Sequence, residues 1–241
     1  PKDLKAAVNG LRATNFRGFN VTIPHKQTIM PLLDAVDESA KKIGAVNTVV
    51  NDGGKLTGYN TDAVGFLSPL KDAAFSISGK SAVILGAGGA ARAVLYALLT
   101  EKAQKIIVGA RNAQKAAALA KDFADMGNVS GDDWTSDNFS KALKETALIV
   151  NATPLGMTGT ADVMPPVDLA MTPADAAVYD LIYTPAETKF LRTAKEQHRR
   201  TINGETMLAA QGAVAFKLWT GKSADLSVMK KVLHETLNAA Q

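Results

Sequence analysis

Two rhythms of apolar and polar positions divide this chain. Over the first sixty or so residues the apolar positions come in short, mixed patterns. Residues 3–14 have the spacing of an amphipathic helix, and residues 16–23 have strand character ending at Pro24. A helical stretch interrupted by Pro31 and ending near Gly44 is expected next. Residues 45–50 and 55–59 are β-prone and flank Asn51-Asp52-Gly53-Gly54, a turn sequence that predicts a hairpin. A helix over residues 61–71 comes after it, then a polar stretch over 76–80.

From Ser81 onward short, wholly apolar runs alternate with longer helical ones. Strands are predicted over residues 82–85, 105–109, 147–152 and 177–182, with helices over 90–100 and 114–126 between the first three. Such alternation argues for an α/β architecture, a parallel sheet covered by helices. Thr184-Pro185-Ala186-Glu187 reads as a capping box with Pro at the first helical position, opening a helix to residue 197. Helices over 205–220 and 225–239, separated by Gly221, close the chain. The expected division is residues 1–62, 63–203, and 204–241, the closing helices returning to the first unit. A cleft between such units is where ligands usually bind.

The second rhythm begins on a glycine cluster. The apolar run 81–85 meets Gly86-Ala87-Gly88-Gly89-Ala90-Ala91, and a helix-forming stretch succeeds it. This is the strand–turn–helix context of the dinucleotide fingerprint, with Gly86, Gly88 and Ala91 at its key positions. Gly86 permits the sharp turn, Gly88 lets a pyrophosphate approach the backbone, and Ala91 lets helix and strand pack closely. The helix N-terminus offers amide donors to phosphate. An NAD site usually carries an acid about 20 residues further on, to hold the ribose hydroxyls. Here the next predicted strand runs into Arg111 instead, with Lys115 four residues later. That basic pair suits the 2′-phosphate of NADP. The plainer reading of Arg111 is a strand-end arginine.

Composition narrows the chemistry. The 241 residues are 46% hydrophobic and 21% charged, with a formal charge of +4, so a sizeable core is available and no basic arm points to nucleic acid. Cys is absent, which excludes disulfides, thiolate catalysis and cysteine–zinc sites, and the three histidines (His25, His198, His234) lack metal-ligand spacing. Neither a membrane span nor a signal peptide is apparent, so a cytoplasmic protein is expected, monomer or homodimer. The polar segment Asn20-Val21-Thr22-Ile23-Pro24-His25-Lys26 stands where the second predicted element stops. Asn47-Thr48 lies within the next strand and Asn60-Thr61-Asp62 at the end of the hairpin. Buried asparagines are costly unless paired, and a polar ligand would explain them. The alternatives are a surface role for Lys26, an N-cap role for Asp62, and backbone bonds for Asn20 and Asn47.

Taken together these segments resemble the shikimate dehydrogenase family, in order and across essentially the whole chain. The matching motifs are Asn20-Val21-Thr22-x-Pro24-x-Lys26, Gly44-Ala45-Val46-Asn47-Thr48, Asn60-Thr61-Asp62 and Gly86-Ala87-Gly88-Gly89-Ala90. Further along come Asn151-Ala152-Thr153-Pro154-x-Gly156-Met157, Tyr179-Asp180-x-x-Tyr183 and Gly204-x-x-Met207-Leu208-x-x-Gln211. The resemblance implies a Rossmann-type NADP-binding domain beside a second α/β substrate domain. It implies reversible, NADP-dependent reduction of 3-dehydroshikimate to shikimate in aromatic amino-acid biosynthesis. Lys26 and Asp62 become the catalytic pair, with no metal. Asn20, Thr22, Asn47, Asn60, Tyr183 and Gln211 fall to the substrate. Gly86, Ala87, Gly88, Gly89, Ala90, Arg111, Asn112, Lys115, Thr153, Gly204 and Met207 fall to the cofactor. Two departures stand out. The family opens with a strand and a Ser-x-Ser element that do not occur after Pro1, so an N-terminally incomplete substrate domain with a depleted sheet is expected. The family's Asn-Arg-Thr is Ala110-Arg111-Asn112 here. Rival readings are a quinate/shikimate dehydrogenase using NAD or NADP, and a non-catalytic nucleotide- or metabolite-binding regulator. A glutamyl-tRNA reductase is disfavoured by the missing cysteine, and a folate dehydrogenase by the Lys26 and Asp62 motifs.

Overall fold

The computed structural model describes residues 2–160 and 162–239, and its strands form two sheets. The first part of the chain runs α1 (Leu4–Ala13), β1 (Gly18–Asn20), β2 (Ala35–Val36), α2 (Glu38–Ile43), β3 (Thr48–Asp52) and β4 (Lys55–Tyr59). Its four strands lie in the order β1-β3-β4-β2, antiparallel except for the parallel pair β2–β4. The β3–β4 hairpin forms as its turn sequence predicts. Gly53 and Gly54 both take positive φ, and the Asn51 side-chain oxygen accepts from the Gly54 N–H at 2.9 Å. Val8, Ile29, Val46, Val49 and Leu56 fill the core of this part.

The long helix expected before Gly44 does not form. Pro31 has no N–H to give a helix interior, and the chain makes a single 3-10 turn at Met30–Leu32, then the short β2. A helix begins only at Glu38, where the Asp37 carboxylate accepts from Ser39 N–H, and it ends at Gly44 in the left-handed conformation.

The second part contains α3 (Asp62–Asp72), β5 (Ser81–Leu85), α4 (Gly89–Thr100), β6 (Lys105–Ala110), α5 (Ala113–Asp122), β7 (Val129–Asp133), α6 (Asp137–Leu143), β8 (Leu148–Asn151), β9 (Ala177–Asp180), α7 (Lys189–Glu196) and β10 (Thr201–Ile202). Helices α8 (Glu205–Thr220) and α9 (Leu226–Ala239) follow, and Trp219 of α8 donates from Nε1 to the Val49 carbonyl of the first sheet at 2.9 Å. The sheet is wholly parallel, in the order β10-β9-β8-β5-β6-β7. The strand order reverses between β5 and β8, and a doubly wound sheet binds its ligand at the carboxyl ends on either side of that point. Burial on both faces explains the unbroken apolar runs. Ala82 and Ile84 enter one core with Phe66, Leu95, Leu98 and Tyr179, while Val83 and Leu85 enter the other with Phe139 and Phe190.

Three elements of this sheet layer carry no sequence signal: β7, α6 and β10. Strand β7 reads Val-Ser-Gly-Asp-Asp, and as the outer strand it is only half-buried throughout, so it carries no apolar run. The expected capping box at Thr184 is also corrected. Thr188 caps α7, accepting from Leu191 N–H, while the Thr184 carbonyl accepts from Thr158 N–H. Among the described residues no helix is long and apolar enough to cross a membrane.

Candidate active site

Lys26 sits in the segment after β1, where its carbonyl accepts from Val46 N–H at 2.7 Å and so is tied to the entry of β3. Its Nζ donates to Asp62 Oδ2 at 2.7 Å, and the two side chains are 15% and 7% exposed. Asp62 opens α3, where the positive end of the helix dipole favours a carboxylate. Its second oxygen, Oδ1, accepts from Asn47 Nδ2 at 2.8 Å. Both charges of this largely buried ion pair therefore keep charge-assisted hydrogen bonds, the condition under which such a pair is tolerated.

The capping role weighed for Asp62 belongs to Asn60. Asn60 Oδ1 accepts from the N–H groups of Asp62 and Ala63, and its Nδ2 donates to Ala45 O at 2.9 Å. Asp62 is thereby left free to face Lys26. Asn47 is the hub behind the pair. Its Oδ1 accepts from Thr61 N–H at 2.8 Å and from Thr48 Oγ1, and its Nδ2 reaches Asp62, Thr61 Oγ1 and Gln211 Oε1. Asn20 Nδ2 donates to Asn47 O and Thr48 Oγ1. Asn47 and Asn60 are buried with intramolecular partners, so their burial requires no ligand, contrary to the argument from sequence, while Asn20 is exposed. The network orients the catalytic candidates from behind.

Lys26 opens on a cleft of about 580 Å³ at the carboxyl ends of the parallel strands. Gly86 to Ala90 form one wall, Arg111, Asn112 and Lys115 another, and Thr153 to Leu155 a third. Gly86 has φ +108°, and a Cβ there would meet Thr153 and the Ala152 carbonyl at 3.0–3.1 Å. At Gly88 a Cβ would meet open space, so the backbone is bare toward the cleft. A Cβ on Gly89 would lie 3.3 Å from the Lys26 side chain, which places the glycine turn directly beside the lysine. Asn112 Oδ1 accepts from Lys115 N–H at 2.9 Å and caps α5, which leaves Arg111 exposed at the strand end.

Behind the third wall lies a buried carboxyl. Asp180, at the end of β9, accepts from Thr188 Oγ1 (2.7 Å), Asn151 Nδ2 (3.0 Å) and Ile182 N–H (3.1 Å). Burial pushes its pKa up to about 6, against these hydrogen bonds, which pull it down. Asn151 in turn accepts from Thr153 N–H and Oγ1, which shapes the loop on the cleft.

The structure thus brings Lys26, Gly86 to Ala90, Arg111, Asn112, Lys115 and Thr153 to one cleft, with Asp62 and Asn47 behind Lys26. Asn20, Asn60, Gly204 and Met207 stand apart from its lining. Met207 is buried in the core with Phe66, and a Cβ on Gly204 would strike the Leu181 carbonyl. Gln211 joins the Asn47 hub, while Thr22 and Tyr183 are exposed. Pro24 and Pro154, which fall within the quoted motifs, also line the cleft, as do Ile23, Gln27, Trp134 and Leu155, which no sequence pattern marks as site residues. Trp134 comes directly after β7. Its signal in the sequence is a lone tryptophan after a polar run, which no periodicity marks.

Comparison with known proteins agrees with this geometry. Residues 1–49 match the shikimate dehydrogenase substrate binding domain, residues 70–156 the shikimate / quinate 5-dehydrogenase family, and residues 204–234 the shikimate 5'-dehydrogenase C-terminal domain. A shikimate dehydrogenase (NADP(+)) from Carboxydothermus hydrogenoformans is 51% identical over 232 residues, covering 96% of this chain and 82% of that protein. The crystal structure of shikimate 5-dehydrogenase from Thermus thermophilus in complex with NADP(H) and shikimate superposes with TM-score 0.86 at 38% identity, covering 98% of this chain and 85% of that one. Quinate dehydrogenase from Corynebacterium glutamicum in complex with NAD superposes with TM-score 0.87 at 35% identity, over 97% of this chain and 83% of that one. The chain belongs to the shikimate dehydrogenase family.

Proposed function

We propose that this protein reduces 3-dehydroshikimate reversibly to shikimate with NADP as cofactor, using Lys26 and Asp62 as its catalytic pair. The observation that carries this reading is the 2.7 Å Lys26–Asp62 ion pair opening beside the Gly86 to Ala90 turn in one cleft. The cleft suits the cofactor. Gly88 leaves room for a pyrophosphate at the N-terminus of α4, and Arg111 and Lys115 line the region beyond β6 where a ribose 2′-phosphate is read.

When bound, the nicotinamide supplies the hydride. The chain's own residues handle the charge. As a ketone becomes an alcohol its oxygen develops negative charge, which the Lys26 ammonium stabilises and then protonates. Asp62 holds that ammonium in place. In the reverse direction Lys26, as the neutral amine that this donation leaves, takes the proton from the substrate hydroxyl. Asn47, with Thr61 and Gln211 around it, fixes the carboxylate rotamer, since its Nδ2 faces Asp62 and its Oδ1 faces Thr61 N–H. Thr22 and Tyr183, both exposed, are assigned to the substrate's hydroxyl or carboxylate groups, with Gln211.

A second reading, oxidation of quinate with NAD, is favoured by the likeness to the quinate dehydrogenase. Spectrophotometric oxidation of shikimate and of quinate, each with NADP and with NAD, separates the two. The proposal expects shikimate with NADP to give the highest kcat/KM. Turnover of neither substrate would leave a nucleotide-binding regulator.

A further inference from the structure

Arg92 takes no part in the chemistry above, yet its side chain ties the two sheets' surroundings together. It stands on α4 four residues after Gly88, the residue that precedes that helix. Its Nε donates to the carbonyl of Ile43, the last residue of α2. Its Nη1 donates to Asp122, the last residue of α5, at 2.8 Å, and its guanidinium lies 5.5 Å from the centre of the Phe123 ring. From the other side Lys42 reaches Asp125 Oδ1 at 2.5 Å and Asp122 O at 3.3 Å. Gly44 completes the fit, for it has φ +70° and a Cβ there would lie 2.6 Å from the guanidinium.

The Ile43 carbonyl stands at the negative end of a helix, where the last acceptors have no partner within the helix and a cation is a natural one. The next residues along the chain enter the active site. Ala45 O accepts from Asn60, Val46 N–H donates to Lys26 O, and Asn47 holds Asp62. A displacement of residues 43–44 therefore moves the Lys26 backbone and the Asn47 amide together. At its other end Arg92 belongs to the first turns of α4, whose N-terminus faces the cleft at Gly88 and Gly89.

We propose that Arg92 is a positioning residue that couples the two halves of the cleft. Occupation of the α4 N-terminus by cofactor and of the Asn47 side by substrate strengthen each other through the Arg92–Ile43 contact. The inference rests on the dehydrogenase reading for its choice of ligands. Coupling of this kind is reciprocal and is measured as a ratio of affinities. Calorimetry gives the Kd of shikimate for the free enzyme and for enzyme saturated with NADPH, a pair that cannot react with each other. In the wild type, NADPH is expected to tighten shikimate by about 5- to 150-fold.

Arg92→Gln keeps the aliphatic stem and removes the fork. Its ratio is expected to fall toward one while NADPH alone binds within about twofold of wild type. Gly44→Ala, which presses on the same guanidinium without altering it, lowers the ratio too, and Arg92→Lys recovers part of it. Circular dichroism melting establishes that each variant is folded. A folded Arg92→Gln with the wild-type ratio overturns the inference, as does a wild type whose shikimate affinity ignores NADPH. Should Arg92→Gln not fold, wild-type ratios in both Gly44→Ala and Arg92→Lys overturn it instead. A wild type that binds neither ligand sinks the dehydrogenase reading itself, an outcome distinct from lost coupling.

Discussion

Removing the Lys26 ammonium leaves the developing alkoxide without a partner and Asp62 without its cation. Lys26→Ala is therefore expected to lower kcat by about 10²- to 10⁴-fold, the usual worth of a positioned acid or base, with a smaller change in KM. Steady-state kinetics check this, and unchanged turnover would take Lys26 out of the mechanism. Asp62→Asn keeps the shape but leaves the ammonium with a neutral partner, so a comparable loss of kcat with an intact fold is expected. The fold should survive because Asn60, not Asp62, caps α3. At the far end of the cleft Arg111 is exposed and outside the Asn112 cap, free to meet a 2′-phosphate. A hydrogen bond to a charged group is worth roughly 1.5–3 kcal/mol, so Arg111→Ala should raise KM for NADP by about 10- to 150-fold and barely alter that for NAD. Equal effects on both would make Arg111 an ordinary strand-end arginine. Gly86 and Arg111 are legible from the local pattern around them, whereas Lys26 and Asp62 stand out only through the motifs that carry the family resemblance. The true partners of Asn20, Asn47 and Asn60 are not legible. Apart from Thr48 beside Asn47, they lie 14 or more residues away in sequence, or on backbone groups that sequence does not mark.

Between elements, the decisive contact for the site is the approach of α8 to α3. Gly65 faces Gln211, and a Cβ there would lie 2.8 Å from Gln211 Cβ and 2.9 Å from the Met207 carbonyl. One obstacle is backbone, so the helices must part or the side chain must strain. Gly65→Ala is expected to cost about 1–3 kcal/mol, as overpacking usually does. It should also draw Gln211 away from Asn47 and Thr61, which it meets at 3.2 Å. Thermal melting together with KM for shikimate tests both consequences, and an unchanged KM in a destabilised variant would separate Gln211 from substrate binding. Elements rich in apolar residues, such as α4, β5, β6 and α8, could be placed from sequence to within a residue or two. Those held by position in the sheet could not. Strand β7 pairs along its length with β6 despite a polar sequence, because the backbone ladder and not its side chains keeps it there. Likewise β2 is two residues long, and only its pairing with β4 defines it.

For the molecule as a whole, the buried carboxyl of Asp180 makes global stability a readout of the wall behind the cleft. Its ordinary value is 3.8, and burial raises it in the native protein to about 6. Between those values the native chain holds a proton that the unfolded chain has released, so stability falls as pH rises across that window. Below it the contribution is fully present, and above it the loss is complete and constant. At about 1.4 kcal/mol per pH unit the loss amounts to roughly 3 kcal/mol. Other carboxyls act in the opposite sense. Hydrogen bonds from Arg12 and Ser39, respectively, hold Asp34 and Asp37 below their usual value, so their stabilisation is lost as pH falls. The Asp180 contribution must therefore be read as a difference between two proteins. Asp180→Asn carries no titrating group at this position; its amide oxygen can keep the Asn151 and Ile182 donors while its nitrogen faces the Thr188 hydroxyl. Chemical denaturation of both proteins from about pH 4 to pH 7 should show the wild type losing roughly 2.4 kcal/mol relative to the variant, most of it below about pH 6. Parallel curves would mean that Asp180 titrates alike in the folded and unfolded chains. The hydrogen bonds from Thr188, Asn151 and Ile182 would then offset its burial in full.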